Sequence, residues 1–384
     1  MKKASADFQV FVKPVGASCN LACKYCYYLK NRTLDPEEKN PRMTEALLEE
    51  YIVQHINSST RPELFFSWHG GEPTLAGLQY FQRIVEIQRI NQPEDSHIVN
   101  GLQTNGTLLN DDWCRFLASE NFVVGISIDG PEDLHSNYRG TKEGNPSFEE
   151  TMRGYELLKS YGIQCEILCV VNAVNVEHPL RVYRFFKELQ CEFLTFLPLV
   201  ERGTSGGKSV SERSVSAKAF GQFLCTIFDE WKALDIGNVK IQIFEEALRP
   251  AFDLEHTLCI FKVTCGRVPV VEHNGDFYSC DHYVNADHLI GNIGQNSLVE
   301  LLGSRRQEAF GMKKFDTLPF YCLECEVLNM CNGACPKDRL IQTPDGEPGL
   351  NYLCEGYKHF FNHCKPFVEE VAEVWRSDKS VVIE

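Results

Sequence analysis

The sequence CNLACKYC, residues 19–26, decides how the rest of the chain is interpreted. It places Cys19, Cys23 and Cys26 at C-x3-C-x2-C spacing, shortly after an apolar run at residues 8–12. Three thiolates in one loop can bind a metal ion or an iron–sulfur cluster, and a 4Fe–4S cluster normally takes a cysteine on each iron. A cluster held here would leave one iron open to a ligand that is not protein. The alternative is a structural zinc loop with its fourth ligand elsewhere, although such loops usually use C-x2-C pairs.

Length and charge limit the classes of function open to this chain. Its 384 residues exceed what one compact domain usually needs, so we expect two or three domains. A formal net charge of -15 repels phosphate backbones and acidic membrane surfaces. The first residues lead into no long apolar core or cleavage-like site, and no run approaches the length of a membrane span. We therefore expect a cytoplasmic protein with no signal peptide and no nucleic-acid or membrane partner.

The seventeen cysteines need an explanation. An odd number argues against a pure disulfide framework, and in a reducing cytosol clustered thiols are more often metal ligands. Three of them fall within residues 19–26 and eight within residues 259–354. The other six are expected to be small core residues: Cys114, Cys165, Cys169, Cys191, Cys225 and Cys364.

Strand and helix patterns alternate along the first half of the chain. Apolar runs predict strands at residues 8–14, 64–69, 98–103, 123–129, 165–171 and 193–200. Helical periodicity predicts helices at residues 44–56, 78–90, 111–119, 148–159, 179–189 and 217–234, the first capped by Thr44. This alternation indicates parallel β/α units with right-handed crossovers. The predicted fold is α/β, a partial (β/α)6 barrel of the TIM type, with working residues at the carboxyl ends of its strands.

The second half of the chain has a different pattern. Residues 249–366 are rich in loops and cysteine, which indicates a small domain stabilised by metal. The Ser- and Gly-rich residues 202–216 predict a mobile loop, either a lid or a plain connector. We therefore predict a barrel at residues 1–235, a cysteine-rich domain at residues 236–366, and a final helix and tail at residues 367–384.

Glycine and polar residues lie at the carboxyl ends of three predicted strands. Gly70-Gly71-Glu72-Pro73 ends the second strand, where glycine lets a backbone approach a ligand closely. QTNG, residues 103–106, ends the third. In the fourth strand, Gly125, Ser127 and Asp129 share one face because side chains alternate. Polar residues at these ends are placed to meet a ligand, although simple turns would leave a similar pattern.

The cysteine loop with Tyr25 before its third cysteine, followed by GGEP, resembles the signature of the radical S-adenosylmethionine enzymes. The resemblance implies that the open iron binds S-adenosylmethionine, which one electron cleaves to a 5′-deoxyadenosyl radical. It implies cofactor contacts for seven residues: Tyr25, Gly70, Gly71, Glu72, Ser127, Arg139 and Val200. Arg139 would pair with the methionine carboxylate through its fork of donors, unless it makes a surface ion pair. Val200 would contact adenine.

The C-terminal cysteines have the spacing C-x5-C-x14-C, followed by C-x2-C-x5-C-x3-C-x18-C. Eight thiols suffice for two fully ligated 4Fe–4S clusters or for two zinc sites. The series resembles the iron–sulfur SPASM domain, which implies three 4Fe–4S clusters in all. The resemblance assigns the nearer auxiliary cluster to Cys259, Cys265, Cys280 and Cys335. It assigns the farther one to Cys322, Cys325, Cys331 and Cys354.

Asp281 directly follows Cys280, after the Asn274-Gly275 signal for a hairpin. On a strand the two side chains would face opposite ways, so one could hold a cluster while the other reaches an active site. A solvated aspartate is the ordinary alternative. This Cys-Asp pair, with CNLACKYCYY, HGGEPTLAG, LQTNG, VGISIDGP and ILCVV, resembles the anaerobic sulfatase-maturating enzymes. The resemblance implies oxidation of a Cys or Ser in a sulfatase to Cα-formylglycine, with Asp281 as general base.

The same resemblance implies two protein partners and leaves rivals open. The partners are a sulfatase polypeptide as substrate and a flavodoxin- or ferredoxin-like electron donor. One rival is a SPASM-type maturase that crosslinks or epimerises ribosomal peptides. Asp281, and the lack of an obvious leader-peptide-binding domain before Cys19, favour the sulfatase reading. A non-catalytic electron carrier or a zinc-binding adaptor is the alternative of a different class.

Overall fold

The structure is a computed structural model that describes residues 3–28, 41–203 and 210–380, with side chains to residue 377. The strands are β1 (Phe11–Val12), β2 (Glu63–Trp68), β3 (His97–Thr104), β4 (Val123–Ser127), β5 (Cys165–Val171), β6 (Phe193–Pro198), β7 (Lys240–Ile241), β8 (Val270–Val271), β9 (Asp276–Tyr278), β10 (Leu289–Asn292), β11 (Arg339–Gln342) and β12 (Pro348–Asn351). The helices are α1 (Glu45–Ser58), α2 (Leu78–Asn91), α3 (Asp111–Ser119), α4 (Glu132–His135), α5 (Phe148–Ser160), α6 (Pro179–Glu188), α7 (Ala217–Leu234), α8 (Gln242–Leu248), α9 (Leu298–Leu302), α10 (Arg305–Asp316), α11 (Phe320–Leu323), α12 (Leu328–Cys331) and α13 (Cys354–Ser380).

The chain divides into two compact units, each assembled from three segments. Unit 1 comprises Met1–Ile128, His135–Ile167 and Gly266–Met312, and unit 2 comprises Asp129–Leu134, Leu168–Cys265 and Lys313–Glu384. The main sheet has the order β10-β9-β8-β1-β2-β3-β4-β5-β6-β7, so it has two ends and is not a closed barrel. Strands β1 to β4 are parallel. The alternation of strands and helices around this open sheet confirms the α/β partial barrel.

Unit 1 is organised around aromatic side chains that β2 directs into the core. Phe66 and Trp68 are fully buried, and the ring of Tyr51 from α1 packs edge-on against both. On the side of α2, Phe81 packs against Trp68 at 6.2 Å between ring centroids. Helix α1 begins where predicted, because the Thr44 hydroxyl accepts a hydrogen bond from the Leu47 amide at 3.3 Å. This core fixes the carboxyl ends of the first strands.

Unit 2 is held together by the packing of α7 on α13. A Cβ atom added to Gly221 would lie 2.8 Å from the Cα of Gly356, so the two helices approach as closely as glycine allows. Phe360 of α13 packs against Phe228 of α7 and Phe244 of α8, with ring centroids 6.1 and 5.5 Å apart. The final helix, whose first residue is a predicted cluster ligand, is therefore part of the core of this unit.

The predicted strands and helices form, with differences at the ends of some strands. β1 is shorter than predicted at both ends; at its carboxyl end the amide of Lys13 makes the last ladder bond, because Pro14 has no amide to donate. β4 and β6 end two residues early, at Ser127 and Pro198. Of the six cysteines predicted to be core residues, five are buried and Cys165 is half-buried. Part of the predicted mobile loop, residues 204–209, lies outside the described residues. Among the helices that the structure describes, none is long and apolar enough to cross a membrane.

Candidate active site and iron–sulfur ligands

The cysteine loop rests directly on the end of β2. The amide of Gly71 donates to the carbonyl of Gly16 at 2.9 Å, and the amide of Glu72 donates to that of Ser18 at 2.8 Å. A Cβ atom on Gly71 would lie 2.1 Å from the Ser18 oxygen, and Gly70 has a φ of +124°. The sequence predicted that these glycines admit a ligand. The structure shows that they admit the backbone that leads into Cys19.

A second contact to the loop comes from the end of β3. The Asn105 side-chain amide donates to the Asn20 side-chain oxygen at 2.9 Å and lies 3.7 Å from the Cys19 sulfur. The Leu21 amide donates to the same sulfur at 3.3 Å. Burial, followed by the Glu72 carboxylate, raises the pKa of Cys19 to about 12. Cys19 therefore needs a bound metal to release its proton at neutral pH.

The carboxylate of Glu72 is fully buried and joins the segment after β2 to the end of β3. Its Oε1 accepts from the Thr74 amide, the Thr74 hydroxyl and the Thr104 hydroxyl at 3.1, 2.6 and 2.8 Å. Its Oε2 accepts from the Asn105 amide at 2.8 Å. Burial raises the pKa of Glu72 in spite of these four hydrogen bonds. The side chain thus positions strand ends, and a cofactor contact by its backbone stays a prediction.

Arg139 and Tyr25 lie together on the other side of the loop. Arg139 is buried, so it does not make the surface ion pair that was its alternative. Its Nη1 donates to the Tyr25 hydroxyl at 2.9 Å. The amides of Ala22 and Lys24 donate to the carbonyls of residues 140 and 138, both at 2.8 Å. The loop therefore has backbone partners on two sides, and the contacts of Tyr25 and Arg139 with cofactor stay predictions.

The other two predicted cofactor contacts lie in different units. Ser127 ends β4 in unit 1, and its hydroxyl accepts a hydrogen bond from the Gln103 side chain at 3.2 Å. Gly125 and Ser127 share the less buried face of β4, as predicted. Val200 lies two residues beyond β6, in unit 2. Neither role is tested by these positions.

The predicted base, Asp281, is buried against a lysine at the end of β1. β1 pairs in parallel with β8, with Val12 opposite Val271, so the next residues along the two strands are Lys13 and Glu272. The fully buried Lys13 ammonium lies 2.8 Å from Asp281 Oδ1 and 2.9 Å from Glu272 Oε1. The predicted hairpin at Asn274-Gly275 forms between β8 and β9. Asp281 lies beyond β9, in a turn of 3₁₀ helix at Asp281–Tyr283, and not on the predicted strand.

Two consecutive tyrosines donate hydrogen bonds to the second carboxylate oxygen of Asp281. The hydroxyl of Tyr28 donates to Asp281 Oδ2 at 2.7 Å, and the hydroxyl of Tyr27 donates to the same oxygen. The Lys13 ammonium also lies 4.4 Å from the centre of the Tyr28 ring. Burial, followed by the Asp281 carboxylate, raises the pKa of Tyr28, so this tyrosine keeps its proton and remains a donor.

The charge state of Asp281 follows from these partners. Burial alone would raise its pKa, but the Lys13 ammonium, with smaller contributions that include the hydrogen bond from Tyr27, holds its pKa well below the usual value. Nearby, the ring of His69 stacks on Phe11 with centroids 4.0 Å apart, and burial lowers the pKa of His69 to about 4. At neutral pH the site therefore combines a carboxylate with a neutral imidazole.

The eight C-terminal cysteines are free thiols, and seven of them fall into two groups in unit 2. In unit 2 the four thiols predicted for the farther cluster, Cys322, Cys325, Cys331 and Cys354, line one cavity. Burial, followed by the charge of Cys354, raises the pKa of Cys331 to about 12. Three thiols predicted for the nearer cluster, Cys259, Cys265 and Cys335, influence one another's pKa in unit 2. The fourth, Cys280, belongs to unit 1.

The donor chemistry fits iron–sulfur clusters. All seventeen cysteines are free, so the loop at residues 19–26 contains no disulfide. A cavity lined by four thiols offers the complete set of ligands that a 4Fe–4S cluster takes from protein. The thiols of the N-terminal loop offer three, with Cys23 and Cys26 contributing to the raised pKa of Cys19. Buried thiols of this kind bind metal with release of protons.

Sequence reasoning missed the residues that surround Asp281, the predicted base. Lys13, Glu272, Tyr27 and Tyr28 were not singled out, although each gave a signal. Lys13 is a charge at the end of an apolar run, and Glu272 follows two valines. A charged residue in such a setting is rarely buried without a partner. Asn105 was considered only as a ligand contact or a turn cap, and its contact with Asn20 was not foreseen.

Models of two protein families match the chain. The model of the radical SAM superfamily matches residues 14–186, and that of the iron–sulfur cluster-binding SPASM domain matches residues 264–326. A serine-type anaerobic sulfatase-maturating enzyme of Bacteroides thetaiotaomicron is 45% identical, over 94% of this chain and 90% of the relative. A cysteine-type anaerobic sulfatase-maturating enzyme of Clostridium perfringens is 33% identical, over 94% of this chain and 98% of the relative.

Solved structures of similar proteins share the fold of this chain. The structure of native anSMEcpe with bound AdoMet and Cp18Cys peptide superposes with a TM-score of 0.86 at 32% identity, covering 96% of this chain and 99% of that one. The structure of Streptococcus suis SuiB bound to the precursor peptide SuiA has a TM-score of 0.64 at 16% identity, covering 91% of this chain and 76% of that one. At that identity the second likeness concerns the fold alone.

Proposed function

This chain belongs to the anaerobic sulfatase-maturating enzymes, and we propose that it oxidises a Cys or Ser of a sulfatase polypeptide to Cα-formylglycine. The relatives supply the substrate class, because both serine-type and cysteine-type enzymes are similar over nearly the whole chain. The observation that carries the proposal is Asp281, a buried carboxylate that is paired with Lys13 and follows the predicted cluster ligand Cys280. The alternative, a maturase of ribosomal peptides, gains no support from the likeness to SuiB, which at 16% identity concerns the fold alone.

The residues of the N-terminal loop have the role of holding the reactive cofactor. Cys19, Cys23 and Cys26 would ligate one 4Fe–4S cluster, and the eight C-terminal cysteines two more. When bound, the clusters and S-adenosylmethionine supply a 5′-deoxyadenosyl radical and accept an electron. The contacts of residues 16–18 with Gly71 and Glu72 would keep the loop fixed against β2. The predicted cofactor contacts of Ser127, Arg139 and Val200 belong to the same proposal.

The role proposed for Asp281 is that of a base. Oxidation of the target residue removes one hydrogen atom from Cβ, one proton from the sulfur or oxygen, and one electron. The proton goes to a carboxylate oxygen of Asp281, which the low pKa keeps ionised. A Ser target then gives the aldehyde directly, and a Cys target gives a thioaldehyde that water converts to the aldehyde with loss of hydrogen sulfide. Because both tyrosines donate to Oδ2, the substrate must displace a hydroxyl or pass its proton through one.

The proposal extends to domains, location and electron supply. We assign residues 1–235 to the barrel, 236–366 to the auxiliary-cluster domain, and 367–384 to the tail together with the later part of the final helix, which begins at Cys354. Free thiols at all seventeen cysteines fit the reducing conditions of the cytoplasm. A flavodoxin- or ferredoxin-like protein would supply the electron that starts each turnover, and its identity is left to a binding experiment.

The test compares two aspartate variants of the reconstituted enzyme. Asp281→Asn keeps the size and shape of the base but removes its charge, whereas Asp287→Asn makes the same change at an exposed position. With S-adenosylmethionine, reductant and a Cys peptide, Asp281→Asn should still release 5′-deoxyadenosine while formylglycine falls by about 100-fold or more. Asp287→Asn should match the wild type in both products. Formylglycine at the wild-type rate in Asp281→Asn would refute the assignment of the base.

A further inference from the structure

The side chain of Arg339 lies between the two groups of C-terminal thiols in unit 2. Arg339 is the first residue of β11 and pairs with Asn351 of β12. Asn351 lines the cavity of the four thiols of the farther set, and its side-chain amide donates to the carbonyl of Cys335 at 3.1 Å. Cys335 belongs to the nearer set. The strand pair that carries Arg339 therefore joins a ligand of one predicted cluster to the cavity of the other.

One nitrogen of the Arg339 guanidinium is hydrogen-bonded to protein, and another has no acceptor among the described residues. Its Nη1 donates to the Thr317 hydroxyl at 3.0 Å. A Cβ atom added to Gly333 would lie 2.8 Å from Nη2, and Gly333 itself lines the cavity of the farther set, between Cys331 and Cys335 in sequence. Nη2 is buried and has no hydrogen-bond partner within the described part of the chain. A buried N–H of a charged group that lacks a partner is costly, so this position calls for an acceptor.

The electrostatic surroundings of the guanidinium are thiols of both sets. Burial lowers the pKa of Arg339, while the charges of Cys322, Cys265, Cys335 and Cys331 raise it. Two of these thiols belong to each predicted cluster. Arginine stays protonated at neutral pH, so its charge is fixed. A fixed cation favours the reduced form of a cluster, which is the more negative one, and N–H···S hydrogen bonds act in the same direction.

We propose that Arg339 sets the reduction potentials of both auxiliary clusters by placing one positive charge and one free N–H group between their ligand sets. In the proposed reaction the electron leaving the substrate passes to these clusters, so Arg339 would make them better acceptors. Arg339 touches neither substrate nor reacting atoms, and it acts through the clusters. This inference rests on the assignment of the two cysteine sets in the proposed function.

The test is a redox titration of the reconstituted holoenzyme, followed by electron paramagnetic resonance, in wild type, Arg339→Gln and Arg339→Lys. Arg339→Gln should shift the midpoint potentials of both auxiliary clusters to more negative values, and Arg339→Lys should shift them less. The cluster at Cys19, Cys23 and Cys26 is the internal control, whose potential should not move. Lys365→Gln removes a partly exposed cation of unit 2, which pairs with Glu369 at 4.0 Å, and should leave all three potentials unchanged.

The inference is overturned if fully loaded Arg339→Gln has the auxiliary potentials of Lys365→Gln. If Arg339→Gln does not take up its clusters, the same titration of Thr317→Val tests the inference. That variant removes the hydrogen bond that positions the guanidinium but leaves the charge of Arg339 in the protein. We expect a shift in the same direction, smaller than that of a lost charge, and unchanged potentials would overturn the inference. Failure of the proposed function is distinguishable, because it would appear as absence of formylglycine with the wild type.

Discussion

Replacing Lys13 with methionine should expose the cost of keeping two carboxylates in the interior. Lys13 is fully buried and lies within 2.9 Å of both Asp281 and Glu272. Removing one partner of a buried ion pair costs about 3–5 kcal/mol. A second route gives a similar figure, since protonating a carboxylate of ordinary pKa near 4 at pH 7 costs about 4 kcal/mol, at about 1.4 kcal/mol per pH unit. At roughly 2 °C per kcal/mol, the midpoint of thermal unfolding should fall by about 6–10 °C.

The same variant should separate radical formation from product formation. The side chain of Lys13 takes no part in the hydrogen bonds that Asn105 makes to the loop or that Gly71 makes to Gly16, so 5′-deoxyadenosine should still form. Formylglycine per deoxyadenosine should fall at least tenfold, because Asp281 loses the charge that keeps it ionised and in place. Methionine at the partly exposed Lys365 is the control, and its unfolding midpoint should change by no more than about 1 °C. An unfolding midpoint and product ratio equal to the control's in Lys13→Met would refute the reasoning.

Three further predictions concern the loop and the core. In Gly71→Ala the added Cβ would lie 2.1 Å from the Ser18 oxygen and displace the backbone that leads into Cys19. Bound iron should therefore fall from about 12 to about 8 atoms per chain, the loss of one cluster. A full complement of iron in this variant would contradict the prediction. Glu72→Gln should reduce the free energy of unfolding by about 1–3 kcal/mol, because the amide cannot accept all four hydrogen bonds; urea unfolding of the iron-free protein measures this, and no loss would contradict it. His55 has its pKa lowered to about 3 by burial, so the unfolded chain binds its proton first as pH falls below 6.5, and stability should drop by about 2 kcal/mol between pH 7 and pH 5. In His55→Gln that part of the pH dependence should vanish; if the dependence persists in full, the histidine is not its source.

The fold was predictable where the signals were local and repeated. The strands and helices before residue 235 follow from period-two and helical patterns, and the N-cap at Thr44 from a single residue type. Their ends were less certain because they depend on where a ladder bond is missing, as at Pro14. The discontinuous units could not be predicted, since they depend on which distant segments of the chain contact one another.

The residue types of the candidate site were predictable, but the hydrogen-bond and ion-pair partners of those residues were not. Cysteine spacing and the Cys-Asp pair predict cluster ligands and a base from short stretches of sequence, and the structure places four of those cysteines around one cavity and buries Asp281. The partners of Asp281 depend on the register of β1 against β8, more than 250 residues apart in sequence, so no local pattern reveals that Lys13 lies opposite Glu272. Arg139 had a similar ambiguity, since only tertiary packing decides whether an arginine is buried against Tyr25 or exposed.

Transfer of a labelled hydrogen tests the central claim most directly. The reconstituted enzyme is incubated anaerobically with reductant, S-adenosylmethionine and a sulfatase-type peptide whose target Cys carries deuterium at Cβ. The account predicts that deuterium appears in 5′-deoxyadenosine, and that the peptide mass changes by loss of hydrogen sulfide with oxygen in place of sulfur. Unlabelled deoxyadenosine beside an unchanged peptide, from enzyme with its full iron content and with Cys and Ser peptides alike, would contradict it.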